Sequence, residues 1–95
     1  MASLDLDFAN LKVTDWNHEL LNACIYNIPT HARTAIHQGA TKLNTALVQA
    51  CKHGHLQMVK LLVDDYGARD VHDNGWWEAA IRKHKDILAY LLAKK

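Results

Sequence analysis

The stretch TALVQACKHGHLQMVKLLVDDYGA, residues 45–68, reads as two helices joined by a turn. Leu47, Ala50 and Cys51 stand at i, i+3 and i+4, so one large and two small apolar residues share a helix face and let a neighbouring helix come close. Gly54 follows, a residue suited to the left-handed conformation that ends a helix. Met58, Val59, Leu62 and Val63 then recur at i, i+1, i+4 and i+5, the apolar stripe of a second helix, and Gly67 closes the unit. The same stretch brings Cys51, His53 and His55 within five positions, which raises a metal site as a competing reading. Zinc takes four donors in a structural site and three plus water in a catalytic one. Cys51 is expected to face the core and His53, two residues on, to point away from it, so the helical reading is preferred.

Working outward, two further blocks copy this one. Leu20, Ala23 and Cys24 repeat the Leu47, Ala50, Cys51 spacing in the block before it, and Trp76, Ala79 and Ala80 repeat it in the block after, at a nearly equal offset along the chain. Self-similarity at a near-constant period is the mark of a repeat architecture. In the first block Pro29 is read as both stop and restart, since its fixed φ and missing N–H suit the first turn of a helix, and Gly39 ends the unit. In the third, Lys83 stands where the middle block has Gly54, and Ile87, Leu88, Leu91 and Leu92 form the stripe. The pattern predicts helices at 15–26, 29–38, 45–53, 56–65, 75–83 and 85–93, with Asp15 and Asn44 as N-caps. Strand-like alternation is confined to SLDLDF, where Leu4, Leu6 and Phe8 fall on one side; residues 1–14 are read as an extended arm over the first repeat. The expected division is therefore an arm at 1–14, repeats at 15–44 and 45–74, and a third repeat with a C-terminal cap at 75–95, closed by Lys94 and Lys95.

Composition bounds what such a chain does. Of 95 residues, 49% are apolar and 22% charged, which fits one packed domain and not a disordered chain. The longest apolar run is far short of a membrane span. Acids occupy the N-terminal stretch where a secretory signal carries Lys or Arg, so a cytoplasmic setting is expected, and Cys24 and Cys51 are read as reduced, buried apolar residues. Eleven basic and ten acidic residues give a net charge of +1, which disfavours nucleic acid as the main partner.

The middle block resembles an ankyrin repeat. The family's T-P-L-H-x-A-A, G-H, I-V, L-L-L and G-A elements correspond to TALVQAC, GH, MV, LLV and GA, placing Thr45, Leu47, Ala50, Gly54, His55, Val59, Leu62, Gly67 and Ala68 at matching positions. Ala46 and Val48 depart from the family's Pro and first His, and Tyr66 is one residue inserted before GA. The resemblance implies an all-α solenoid of three helix-turn-helix repeats. The short passage from each GA to the next helix implies that the projecting finger hairpins are absent. It also makes Gly54 the turn glycine and His55 a histidine that organises the turn between paired helices.

In such stacks the first helices of each pair line a concave binding face. The alignment puts Gln49, Lys52 and His53 there, with Asn22, Ile25 and Tyr26 as their counterparts in the first block and Glu78, Ile81 and Arg82 in the third; Trp77 takes the position of Val48. Tyr26, Gln49, Lys52, His53, Trp77 and Arg82 are the expected partner-binding residues, Tyr, Trp and Arg being the types most often energetic at interfaces. Adjacent pairs such as His18 and Glu19, or Asp64 and Asp65, point apart on a helix, and no phosphate loop or nucleophile elbow occurs, so neither catalysis nor a cofactor is expected. RKHKD at 82–86 is read as a solvated turn in preference to an anion site. The function expected is binding of another protein as an adaptor or antagonist. The alternatives are a homodimer built on Trp77, Ile81, Tyr90 and Leu92, and a metal- or nucleotide-responsive module built on the histidines.

Overall fold

The computed structural model describes residues 15–94. The arm expected at residues 1–14, with Leu4, Leu6 and Phe8, lies outside them, as does Lys95. Six helices follow one another as three antiparallel pairs: α1 (Trp16–Tyr26) with α2 (Pro29–Gln38), α3 (Leu43–Lys52) with α4 (Leu56–Lys60), and α5 (Asn74–Ile81) with α6 (Lys85–Ala93). No strand is present among the described residues, in keeping with the all-α reading. The first helices form an inner row in which α3 packs on both α1 and α5, while α2, α4 and α6 lie behind them.

The small residues make this row possible. Ala23, Cys24, Ala50, Cys51 and Ala79 are fully buried, as are Leu20 and Leu47 in front of them. An ideal Cβ added to Gly75 would stand 2.9 Å from the Cys51 sulfur, a measure of how closely α3 and α5 approach. Behind the row Met58, Val59, Leu62 and Ile87 are also fully buried, each worth about 1.5–3 kcal/mol of transfer free energy. The third copy is looser. Trp76, at the Leu20 and Leu47 position, is only half-buried, and within the predicted stripe Ile87 and Leu91 are buried whereas Leu92 is 63% exposed.

Capping departs from expectation in one place. Asp15 caps α1, its side chain accepting from the His18 N–H at 3.0 Å. Asn44 does not cap α3, which starts one residue earlier with Lys42 as N-cap and no side-chain cap bond. Its Oδ1 instead accepts from the Arg69 N–H at 2.7 Å, and Asn17, at the equivalent place in the first repeat, accepts from the Thr41 and Lys42 N–H groups at 2.8 and 2.9 Å. Each Asn thus ties down the loop that leaves its own repeat, a loop too short to project a hairpin and otherwise left with unpaired donors. The extra residue before Gly67 is absorbed by a π-helical turn over Leu61–Asp65, the usual way a helix accommodates one insertion.

The loop into α5 is held by one carboxylate. Asp70 accepts from the Gly75 and Trp76 N–H groups at 2.6 and 2.9 Å, while His72 and Asp73 both take left-handed backbone with φ of 57° and 58°. Two consecutive non-glycine residues in that region carry strain of roughly 1–2 kcal/mol each, so the contacts of Asp70 must hold them in place. Asp70→Ala is expected to cost about 2 kcal/mol, read as a lower urea midpoint with unchanged slope.

Candidate partner-binding face

The inner row presents the C-terminal halves of α1, α3 and α5 side by side. Tyr26, His53 and Arg82 occupy one repeat position at the ends of these helices and all three are exposed, Tyr26 by 70%. Trp77 is 59% exposed, its ring edge-on to Trp76 at 5.4 Å between centroids, and Ile81 is 68% exposed. Gln49 and Lys52 are half-buried, as are Asn22, Ile25 and Glu78 at equivalent positions, because neighbouring helices crowd the middle of the row. Arg82 is held in an ion pair with Glu78 one turn back.

The turns beyond these residues share one backbone. Asn27, Gly54 and Lys83 all have positive φ, at 58°, 77° and 61°, and in each turn the next N–H reaches back five residues, to the carbonyls of Ala23, Ala50 and Ala79. This corrects one expectation, since the first helix is stopped by Asn27 ahead of Pro29; Lys83, at the position of Gly54, makes the same turn as the glycine. The histidines after the turns then link repeat to repeat. His55 donates from Nε2 to the Ile25 carbonyl at 3.0 Å, and His84 donates from Nε2 to the Lys52 carbonyl at 3.2 Å. A carbonyl only accepts, so each ring carries its proton on that nitrogen. The sequence offered a signal for this pair, since His84 follows Lys83 as His55 follows Gly54.

His53 lies among cations. Partial burial and the charges of Lys52, His55, Arg82 and His84 hold its pKa below the usual histidine value of 6.5, and its ring stacks on that of His55 with centroids 6.3 Å apart. A histidine depressed in the fold contributes stability that is present above the unfolded pKa and lost as pH falls. The melting temperature is expected to decline between about pH 7 and pH 5, and more shallowly in His53→Gln; a Gln variant with the wild-type profile would remove His53 from the account.

The back of the stack behaves differently. Asp64 and Asp65, adjacent in sequence, reach in opposite directions: Asp65 pairs with Arg33 at 3.0 Å in the first repeat, and Asp64 with Lys94 at 2.9 Å in the third. Hydrogen bonds from Lys94 and from the Tyr90 hydroxyl, at 2.8 Å, keep the Asp64 carboxyl below the usual range. Lys94 therefore joins repeats instead of serving only the end of α6. Burial raises the thiols of Cys24 and Cys51 to about 12 each, so both stay protonated, and both are free. Among the described residues no group of three His, Cys, Asp or Glu side chains is placed to hold a metal ion. A cleft of about 660 Å³ between the second and third repeats was not foreseen; its lining includes Asn44, Arg69 and Lys94, with Asn44 already bonded to the Arg69 N–H and Lys94 to Asp64.

Compared with protein-family models, residues 16–95 match that of ankyrin repeats, in three copies. The chain belongs to the ankyrin-repeat family. No curated protein and no solved structure gives a match. Ankyrin repeats are generic protein–protein interaction modules, and the three pairs described above are this chain's repeats. No helix among the described residues is long and apolar enough to cross a membrane.

Proposed function

We propose that the chain acts without chemistry of its own, as a small adaptor or antagonist that occupies a partner protein's surface with the concave face of α1, α3 and α5. The observation that carries this is the exposure of Tyr26 and Trp77, by 70% and 59%, on helices whose other faces are packed. A folded chain gains nothing from leaving large aromatic rings in water, whereas an interface gains much from them. His53, Arg82 and the half-buried Gln49 and Lys52 supply polar contacts around them. The test is affinity capture with the immobilised chain from its native host, repeated with Trp77→Ala and Lys52→Ala. Each change is expected to weaken capture by about tenfold or more while the circular dichroism spectrum is unchanged. Equal capture by folded variants would show that the wrong surface has been chosen.

A second reading, self-association through the C-terminal end, is favoured by a comparison between repeats. Cys51 and Val59 are fully buried by the repeat that follows them, whereas their counterparts Ala80 and Leu88 are half-buried, with Ile81 and Leu92 exposed beside them. Tyr90, expected to take part, is half-buried and bonded to Asp64, with Lys60 and Lys94 near its ring, so the surface reduces to Trp77, Ile81, Leu88 and Leu92. Light scattering over a dilution series decides this: a monomer at the highest concentration removes the reading.

A further inference from the structure

The concave-face reading names a surface, and the charges on it indicate what the surface accepts. Ion pairs divide unevenly between the two sides of the stack. On the outer helices carboxylates meet cations, as in Arg33 with Asp65 and Lys94 with Asp64. At the ends of α3 and α5 cations gather instead. Lys52, Arg82, Lys83 and Lys85 fall within two neighbouring turns, with His53, His55 and His84 among them and Glu78 and Asp86 as the carboxylates beside them, so cations outnumber acids.

The geometry keeps this cluster together. The bond from His84 to the Lys52 carbonyl, 3.2 Å long, fixes the third turn against the second, and the His84 ring lies so near Gly54 that a Cβ there would stand 2.7 Å away. Lys83 is exposed and held in left-handed backbone, so its side chain is anchored at the tip of the turn. Of the cations only Arg82 has a carboxylate partner, Glu78; among the described residues Lys52, Lys83 and Lys85 form no ion pair. Burial first, and then the neighbouring charges of Lys52, His55, Arg82 and His84, lower the titration of His53. Apolar surface adjoins the patch at Ile81, next to Arg82, and at Tyr26, one repeat along from His53.

We propose that this rim of the concave face takes an acidic linear segment of a partner protein, its carboxylates set on Lys52, Arg82 and Lys83 and an apolar side chain seated against Ile81 or Tyr26. The inference rests on the concave-face reading and adds the chemistry of the partner. Electrostatic complementarity supplies encounter and register, and the apolar anchor supplies residence. A nucleic acid fits less well, because it needs a long basic track for many phosphates, and this patch spans two turns in a chain whose net charge is +1.

The experiment titrates the ¹⁵N-labelled full chain with a short synthetic peptide in which Glu and Asp alternate with Leu and Trp. The same peptide with Lys in place of its acids and a single-stranded DNA oligonucleotide are run beside it. The acidic peptide is expected to move the amide signals of residues 52–55 and 82–85, and its affinity to fall by about tenfold as salt rises from about 50 to about 300 mM. The Lys52→Glu, Lys83→Glu double variant is expected to lose at least about tenfold in affinity with an unchanged circular dichroism spectrum. Absence of binding at millimolar peptide, signals spread over the outer helices, equal binding of the Lys peptide, or undiminished affinity in the double variant would each overturn the proposal. Tighter binding of the oligonucleotide would assign the patch to nucleic acid. A captured partner lost with Trp77→Ala yet retained by the double variant would leave the concave-face reading standing and remove only the acidic segment.

Discussion

Leu47→Ala is expected to lower the unfolding free energy by about 3 kcal/mol and the melting temperature by roughly 15 °C, in a single cooperative transition. The magnitude comes from position. Leu47 is fully buried on α3, the helix that packs on both α1 and α5, so its removal leaves a cavity where all three repeats meet. A chain of this size has a total stability of only about 5–14 kcal/mol, and its repeats lend stability to one another through their interfaces. Loss at the central interface therefore weakens the hold of α3 on both neighbours at once, which lowers the stability of the whole stack. The matching change at the edge, Trp76→Ala, removes a larger but only half-buried side chain from the last repeat. It is expected to fray α5 and α6 before the rest, visible as early hydrogen exchange in residues 74–93 with α1 to α3 still protected. Calorimetry and hydrogen exchange on the two variants check both statements. A Leu47→Ala chain that melts within a few degrees of wild type would mean that α3 is not the keystone of the stack.

Gly54→Ala and Gly39→Ala are each expected to cost about 2–3 kcal/mol, for different reasons, Gly39 lying outside the left-handed well that a non-glycine residue can enter. Both glycines have positive φ, 77° and 125°, so both substitutions strain the backbone. They differ in what surrounds them. A Cβ at Gly39 meets nothing within 4 Å, whereas at Gly54 it stands 2.7 Å from Cε1 of His84, a ring tethered to the Lys52 carbonyl. Relief of that contact breaks the link between the second and third repeats, and the lost bond adds about 1 kcal/mol to the strain. A double-mutant cycle with His84→Ala isolates the shared part, and a coupling energy near zero would show that the ring swings aside freely. The third turn gives the converse. Lys83 has φ of 61° with a side chain that the turn does not require, so Lys83→Gly is expected to stabilise the chain by about 1 kcal/mol in urea unfolding.

Periodicity alone placed the helices. The predicted bounds fall within two residues of those observed, once the π-helical turn is counted with α4, because each apolar stripe and each breaker is a local property written in consecutive residues. The recurring Leu, small, small spacing likewise settled that three similar pairs pile up, and the match of residues 16–95 to ankyrin repeats agrees with it. Of the expected binding residues, Tyr26, His53, Trp77 and Arg82 are exposed as helical phase requires, while Gln49 and Lys52 are half-buried since their exposure depends on how near the next helix comes. Only the tertiary structure decided matters of that kind. Asn44 hooks the Arg69 N–H in place of capping α3, His84 reaches back to the Lys52 carbonyl in the previous repeat, and Asp64 and Asp65 part company toward opposite repeats. A hydrogen bond or ion pair between distant residues leaves no period in the chain. It exists because stacking brings those groups within about 3 Å, and the distance is set by the packed core and not by either residue.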